Sequence, residues 1–247
     1  MNTLTEQALD YVERGLSVFP LGKITVDGKG SKKIIYPIKW KKYQTQLPTK
    51  EEVIEWFEKK KYPNIGCVTG NISHLFILDA DTYKPTFAHD KFNAFHIPPT
   101  PCQKTARGGY QYFFSYTGDA SNAVGIFSED SGLDIRANGG MTVLPPSKVN
   151  YSDGVSRAYE WCISPVDELF APLPPSISEL SFVKMREKKT LPELVSLKEG
   201  EGRDDAMAHI VGLFCYSLSP ERWPTEIWAM MKRINQTYTP PLPPADL

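Results

Sequence analysis

The pattern of apolar and polar residues predicts helices at the start of the chain, strands in its middle and helices again at its end. Residues 4–15 repeat apolar positions at helical spacing. A second helix is predicted in "TKEEVIEWFEKK", where Thr49 and Glu52 have the spacing of a capping box. Apolar runs between turn residues predict strands, so we expect an α+β core. The predicted strands are "SVFPL", "NIGCVTG", "HLFILDAD", "YQYFFSY", "GLDIRA", "MTVLPP" and "AYEWCI".

The pattern changes near residue 173, where a proline-rich stretch predicts a linker over residues 173–189. The division is then a main domain over 1–172 and a small all-α module over 190–247. The module's predicted helices are "DDAMAHIVGLFCYSL", capped by Asp204 or Asp205, and "PTEIWAMMKRINQTY". Trp56 and Trp228 fall on apolar helical stripes, which predicts core positions for both. The final "PPLPPADL" leads us to expect a fragment of a longer protein.

Composition narrows the class of protein. The four cysteines are scattered without a C-x-x-C pair, which argues against a structural zinc site and a disulfide framework. The N-terminus lacks the charge and apolar pattern of a signal peptide, and no apolar run has the length of a membrane span. We therefore expect a cytoplasmic protein without a membrane partner. Seven lysines between Lys23 and Lys42 face one aspartate, which favours a polyanionic partner if a catalytic site lies nearby.

The stretch "HLFILDADTYK" places two carboxylates at the end of an apolar strand. Side chains alternate along a strand, so Asp79 and Asp81 share one face. Two carboxylates so close repel each other, and a hard cation such as Mg²⁺ or Mn²⁺ would neutralise them. The alternative is a turn in which Asp81 acts only as a cap, and this alternative is preferred for an isolated D-x-D pair.

Three further segments strengthen the metal interpretation. In "TARGGYQYFF", Arg107 and two glycines precede a strand, a combination that lets backbone and guanidinium approach phosphate. In "GLDIRANGG", Asp134 supplies a third carboxylate and Arg136 lies on the same face; a weak surface ion pair is the alternative. Ser147 and Lys148 add a hydroxyl and an ammonium group able to meet a phosphate.

Taken in order, these segments resemble the bifunctional primase/polymerase (prim-pol) domain of the archaeo-eukaryotic primase superfamily. The resemblance covers about residues 5–165 and is carried by "ALDYVERGLSVFPL", "IKW", "IGCVTGNISHLFILDAD", "TARGGYQYFF", "GLDIRANGGMTVLPPS" and "YEW". The later "GEGRDDAMAHIVGLFCYSLS" and "INQTYTPPL" resemble the helical module that follows such domains in phage and plasmid replication proteins, often ahead of a helicase.

The resemblance implies a two-part α/β catalytic domain with a sheet related to the RNA-recognition motif. It implies that Asp79, Asp81 and Asp134 are catalytic and hold two Mg²⁺ or Mn²⁺ ions. The family typically has histidine where this chain has Gln111, which donates a hydrogen bond but carries no charge. The nucleotide-binding set that we expect is Arg107, Gly108, Gly109, Gln111, Arg136, Ser147 and Lys148.

The expected function is template-dependent nucleotidyl transfer, as a DNA primase and DNA polymerase in phage or plasmid replication. Its partners would be single-stranded template, primer–template DNA, dNTPs or NTPs, and a C-terminal helicase domain. Trp40 lies among lysines in a segment that could track the template through its phosphates. The predicted DNA-binding residues are therefore Lys39, Trp40, Lys41 and Lys42.

Two alternatives remain at this point: a metal-dependent nuclease, and a nucleotide- or DNA-binding module weakened in catalysis by Gln111. A rolling-circle initiator is disfavoured because the four histidines never flank a single apolar residue. A motor function within the chain is disfavoured because no Walker A motif is present.

Overall fold

A computed structural model describes residues 2–186, 198, 207, 210–211 and 223–243. The chain divides into two compact units, Met1–Arg186 and Glu187–Leu247. The first unit combines helices with several β-sheets, which confirms the predicted α+β class.

The first unit opens with helices and continues through a long series of short strands. Its elements are α1 (Thr3–Glu13), β1 (Val18–Leu21), β2 (Ile24–Val26), β3 (Lys32–Ile34), a 3₁₀ helix (Trp40–Gln44), α2 (Lys50–Ile54) with a π-helical turn (Glu55–Lys59), β4 (Asn64–Val68), β5 (Leu75–Ala80), α3 (His89–Asn93), β6 (Cys102–Lys104), β7 (Tyr110–Ser115), β8 (Leu133–Arg136), β9 (Met141–Leu144), β10 (Lys148–Tyr151), β11 (Ser156–Ala158), β12 (Glu160–Ile163), β13 (Ala171–Pro172) and α4 (Pro175–Arg186).

The early helices begin where local sequence satisfies their free backbone groups. Asn2 caps α1 by accepting a hydrogen bond from the Thr5 N–H. At α2, Thr49 and Glu52 form both hydrogen bonds of the capping box, as predicted. These caps fix the helices whose apolar faces, including fully buried Ala8 and Val53, cover the sheets.

The strands form three sheets. A three-stranded sheet has the order β1-β4-β9, and a four-stranded sheet has the order β11-β10-β2-β3. The six-stranded sheet follows the path β12-β6-β7-β5-β8, and β13 lies beside β7. Although β4 and β5 are consecutive in the chain, they belong to different sheets, so the short turn between them carries the chain from one sheet to the next.

Strand β5 separates two hydrophobic cores. Leu75 and Ile77 pack into the first core, together with α1, β1, β4 and β9, whereas Phe76 and Leu78 pack into the second core on the opposite face. This alternation follows from the strand geometry. Asp79 is the next residue on the face of Leu75 and Ile77, so β5 places a carboxylate at the edge of the first core.

The stretch predicted as a linker begins, in the structure, as helix α4. Proline suits the first helical position because its missing N–H is not needed there, and α4 starts at Pro175. Ile177 is fully buried in the second core. The apolar residues of "PLPPSISEL" therefore complete the main domain, and the first unit extends to Arg186.

Within the second unit, the structure describes a π-helical turn (Trp223–Ile227) and helix α5 (Trp228–Asn235). The first predicted helix of the module lies largely outside the described residues, as do Asp204 and Asp205. The prediction that Trp228 is a core residue is wrong, since it is 42% exposed. The apolar stripe runs through Ile227, Met231 and Ile234 instead, and one residue along a helix turns the side chain by about 100°.

A buried polar contact closes the described part of this unit. The Asn235 side chain bonds to both backbone groups of Leu242, at 2.7 and 3.0 Å. None of the helices in the described segments combines the length and the apolar character needed to cross a bilayer.

Candidate active site

Three polar residues lie side by side across the middle of the six-stranded sheet. Asp79 on β5 is paired with Asp134 on β8 and with Gln111 on β7. Residues directly opposite one another in antiparallel strands project from the same face. The register of these strands therefore places Asp79 beside residues that lie 32 and 55 positions later in the sequence.

Asp81 lies just beyond the end of β5. Its N–H donates to the Gly132 carbonyl at 2.7 Å, which holds it beside the start of β8. Its carboxylate pairs with the Lys84 ammonium at 2.8 Å. Asp81 thus belongs to a turn, as the simpler interpretation of the D-x-D pair expected, and its side chain also lines the same cavity as Asp79.

Arg136 neutralises two of the three carboxylates. Its guanidinium lies 3.3 Å from an Asp79 oxygen and 3.1 Å from an Asp134 oxygen. The Asp79 and Asp134 side chains are only 12% and 16% exposed, so this is not the surface ion pair that was considered as an alternative. Burial raises the pKa of Asp79, and the Arg136 charge opposes that rise. The other Asp134 oxygen accepts from the Gly125 N–H at 2.8 Å.

Gln111 is held by a buried chain of hydrogen bonds. Its side-chain oxygen accepts from the Gln103 amide at 2.6 Å and from the Thr142 hydroxyl at 2.7 Å. The Gln103 amide also donates to the Val143 carbonyl at 2.9 Å. The Gln111 oxygen is occupied by two donors, and its amide lies opposite Asp79, where its interaction with the carboxylate lowers the pKa of Asp79.

Asp79 and Asp81 open into a cavity of about 290 Å³, whereas Asp134 is not among the residues that line it. Its walls come from the six-stranded sheet on one side and from β2, β3, β9 and β10 on the others. Carboxylates and cations both face this cavity, an arrangement suited to a ligand that carries metal-bound phosphates. The charged and hydrogen-bonding residues at the cavity include Lys32, Asp79, Asp81, Tyr83, Thr105, Arg107, Gln111, Arg136, Thr142, Tyr151 and Tyr159.

The loop before β7 carries the predicted arginine and glycines. Arg107 faces the cavity and donates to the Gly30 carbonyl in the β2–β3 turn. Gly108 has φ +95°, a conformation that glycine adopts readily. A Cβ at Gly109 would lie 2.7 Å from the Ala80 carbonyl oxygen, so only glycine fits against the end of β5.

Sequence reasoning missed several polar residues that line the cavity, among them Lys32 and Tyr159. The Lys32 ammonium donates to the Tyr159 hydroxyl at 2.8 Å. Although part of Lys32 is exposed, burial lowers its pKa to about 8; the charge of Asp79 opposes this shift and nearby arginines add to it. The alternation of β3 was the available signal, because Lys32 shares a face with the apolar Ile34.

Comparison with protein families agrees with this geometry. The sequence model of the family described as bifunctional DNA primase/polymerase, N-terminal, matches residues 8–176. The chain belongs to the Prim-Pol family. A comparison with curated protein sequences returned no match. Membership supports a primase/polymerase type of nucleotidyl transfer, with DNA and nucleotides as the substrate classes.

Four of the predicted nucleotide contacts of the Prim-Pol domain do not line the cavity, namely Gly108, Gly109, Ser147 and Lys148. Ser147 is fully buried, and its hydroxyl accepts from the Ile65 N–H at 2.8 Å. It joins the end of β9 to β4 and has no open path to a ligand. Lys148 is exposed and lines a neighbouring groove.

The predicted DNA-binding residues lie on the 3₁₀ helix and just before it. The Trp40 ring stacks on Phe19, with ring centroids 5.1 Å apart, and is half-buried against the first core. Lys42 pairs with Glu52 at 2.9 Å. Lys39 and Lys41 are exposed. Much of the Trp40 ring and the Lys42 charge is therefore already engaged within the fold, and their binding to DNA stays a prediction.

The donor atoms at the site fit hard divalent ions in type, since they are carboxylate oxygens. Within the described ranges, however, no three Asp, Glu, His or Cys side chains form a group that could hold a metal ion. Arg136 and Lys84 supply positive charge to Asp79, Asp134 and Asp81 instead.

Proposed function

We propose that this Prim-Pol domain is a template-dependent nucleotidyltransferase that acts as a DNA primase and DNA polymerase in phage or plasmid replication. The observation that carries the proposal is Asp79, which lies in register with Gln111 and Asp134. Together with Asp81 it lines a cavity that Lys32 and Arg107 also reach. Carboxylates on one wall and cations nearby match the two needs of the reaction, which are metal binding and triphosphate binding.

Asp79, Asp81 and Asp134 are the residues that would hold Mg²⁺ or Mn²⁺. Bound ions would activate the attacking hydroxyl and stabilise charge on the triphosphate and its leaving group. Arg136 and Lys84 are the present counter-charges of these carboxylates. Metal binding therefore exchanges one positive partner for another, and burial near Asp79 makes such neutralisation favourable.

The remaining residues bind and orient the nucleotide. Arg107 offers a planar fork to a phosphate, and the tight approach at Gly109 keeps the loop close to the end of β5. Lys32 adds a second cation from the opposite wall. Gln111 lies opposite Asp79 and favours its ionised form. Tyr159 positions the Lys32 ammonium by accepting its hydrogen bond.

Primer extension by Asp79→Asn tests the proposal. The assay uses single-stranded template with and without an annealed primer, each nucleotide class, and Mg²⁺ or Mn²⁺. Loss of incorporation by more than roughly 100-fold is expected, because changing even an outer partner of a metal ligand costs roughly 10- to 100-fold. Asp90→Asn, an exposed aspartate on α3, is the matched control. Incorporation by Asp79→Asn at the control's rate would contradict the proposal.

The same reaction separates the two alternatives. Shortening of a labelled strand without nucleotides identifies a nuclease. A binding module with weakened catalysis would bind dATP with Mn²⁺ in calorimetry and add no nucleotide. Extension that depends on both template and nucleotide supports the polymerase.

A further inference from the structure

A basic groove lies next to the cavity, on the other side of the loop that carries Arg107. Its volume is about 600 Å³. Four cationic side chains and a single carboxylate line it, so its charge is strongly positive. We call it the basic groove; its lining residues are Lys104, Thr105, Ala106, Arg107, Gly108, Lys148, Ser156, Arg157, Ala158 and Glu160.

The groove is built on fixed strands. Lys104 ends β6 in the six-stranded sheet, whereas Lys148 begins β10 in the four-stranded sheet. The Lys148 N–H donates to the Asn64 side chain at 2.7 Å, and the neighbouring Ser147 hydroxyl bonds to Ile65. Ser147 and Asn64 thus anchor the strand from which the Lys148 side chain projects.

The positive charge of the groove is only partly engaged in contacts within the fold. Lys104 and Lys148 form no ion pair among the described residues. Arg157 pairs with the exposed Asp153 at 2.9 Å, and an exposed pair contributes little. Its guanidinium also lies over the Tyr151 ring, 4.1 Å from the ring centroid.

The groove and the active-site cavity share one wall. Thr105, Ala106 and Arg107 line both spaces. A polyanion lying in the groove therefore reaches Asp79 and Asp81 by passing Arg107. A free nucleotide needs one cluster of cations, whereas cations on two sheets and on the loop between them suit a chain of successive phosphates.

We propose that the basic groove binds the phosphate backbone of a single nucleic-acid strand whose end enters the cavity. This inference rests on the proposed function for the identity of the partner. It adds where the strand lies on the surface and how its end reaches the cavity. Lys104, Lys148 and Arg157 contact phosphates without reading bases, and Arg107 marks the point where the strand meets the incoming nucleotide.

Fluorescence anisotropy with a labelled oligo(dT) strand tests the groove, in EDTA and without nucleotides. The double variant Lys104→Gln/Lys148→Gln is compared with Lys59→Gln/Lys60→Gln, which removes the same charge at lysines already paired with Glu55. The groove variant should bind more weakly. Its slope of log K against log salt should fall by about 1.4, because each lost contact to a single strand removes about 0.7.

A third pair, Lys39→Gln/Lys41→Gln, tests the rival lysine segment. A loss of affinity in this pair that equals the loss in the groove pair would overturn the assignment, as would an unchanged slope in the groove pair. Glu160→Gln should tighten binding because it removes the single carboxylate of the groove, and a misfolded variant would not gain affinity. If polyglutamate of matched charge displaces the strand fully, the groove binds acidic protein instead, and the proposal fails.

The measurement of oligo(dT) binding does not depend on catalysis. The binding assay contains EDTA and no nucleotide, so no incorporation takes place in it, and the substituted lysines lie in the groove whereas Asp79 does not. If Asp79→Asn retained full polymerase activity, the proposed function would be wrong, and the result for the groove would be unaffected.

Discussion

Asp79 and Asp134 face each other across the β5–β8 pair, and the Arg136 guanidinium bonds to both. Like charges directly opposite one another destabilise a sheet, so this pair persists only with a positive partner. The arrangement concentrates negative charge at one point of a mostly apolar strand. Most of the testable behaviour of the domain follows from that charge and from the groups that surround it.

The first prediction concerns stability and pH. Burial raises the pKa of Asp79, so the folded protein binds a proton at a pH where the unfolded chain has released it. The stability linked to this carboxyl is therefore present below the unfolded pKa and is lost as pH rises through the folded pKa. Asp79→Asn removes that loss. In EDTA, the variant should gain stability relative to wild type as pH rises from acid to neutral, by about 1.4 kcal/mol per pKa unit.

Thermal melting of both proteins across that pH range measures the difference. Asp90→Asn serves again as the control and should show no comparable trend. A difference that stays constant, or that falls as pH rises, would show that the buried carboxyl is not raised in pKa.

A second prediction concerns the pH dependence of nucleotide binding. The pKa of Lys32 is lowered to about 8, so its ammonium begins to lose its proton just above neutral pH. The KM for nucleotide should then rise roughly tenfold above pH 8, since a hydrogen bond to a charged group contributes about 1.5 to 3 kcal/mol. Steady-state kinetics from pH 6.5 to 9.5 measure it.

Two arginine substitutions sharpen this test. Lys32→Arg keeps its charge throughout the range, so its KM should be flat with pH. Lys33→Arg, at the next position of β3, should retain the wild-type profile. A wild-type profile in Lys32→Arg would exclude Lys32 as the titrating group.

A third prediction concerns the hydrogen bonds behind Gln111. Thr142→Val removes one of the two donors to the Gln111 oxygen and should cost about 0.5 to 1.5 kcal/mol of stability. With both donors removed, in Gln103→Leu/Thr142→Val, the amide is free to turn its oxygen towards Asp79. We expect kcat to fall in the double variant. The fall should be larger than the losses of stability in the two single variants account for.

Conservative replacement separates orientation from packing in this case. Thr142→Val should lower kcat. Thr142→Ser retains the hydroxyl donor and should have a kcat close to that of the wild type. Primer-extension kinetics and urea unfolding are measured on the same preparations. If Thr142→Ser is as slow as Thr142→Val, the hydroxyl has no part in orienting Gln111.

The fourth prediction concerns the close approach at Gly109. A Cβ there meets the Ala80 carbonyl at 2.7 Å, so Gly109→Ala must push the loop away from β5. Overpacking of this kind costs typically about 1 to 3 kcal/mol, and incorporation should fall with it. Gly28→Ala is the matched control, because its nearest neighbour, the Ser152 hydroxyl, is 3.8 Å away. Urea unfolding of the two variants compares them, and equal stability would contradict the contact.

Much of the fold and part of the site follow from local patterns. The capping box at Thr49 and the α+β order were readable because each depends on residues close in sequence. Strand alternation predicts the face of Asp79, whereas Asp81 lies beyond the end of β5 and lines the same cavity from a turn. The family was readable from an ordered set of such segments, and the match over residues 8–176 confirms it.

The contacts of the candidate site that the sequence did not predict depend on strand register. That Asp79 lies opposite both Gln111 and Asp134 is set by how β7 and β8 align with β5, across loops whose length carries no such information. The same holds for Gln103, which reaches Gln111 only through the β6–β7 pairing. Ser147 was misread for a related reason, because burial against β4 is invisible in "LPPSK".

The alternation of β5 also has a consequence for how such an enzyme can change. Phe76 and Leu78 face the second core, whereas Asp79 follows Ile77 on the face of the candidate active site. Substitutions on one face of β5 can therefore change the stability of the domain, while substitutions on the other face change its turnover. Homologues adapted to hot or cold hosts should differ at the former positions and keep the latter.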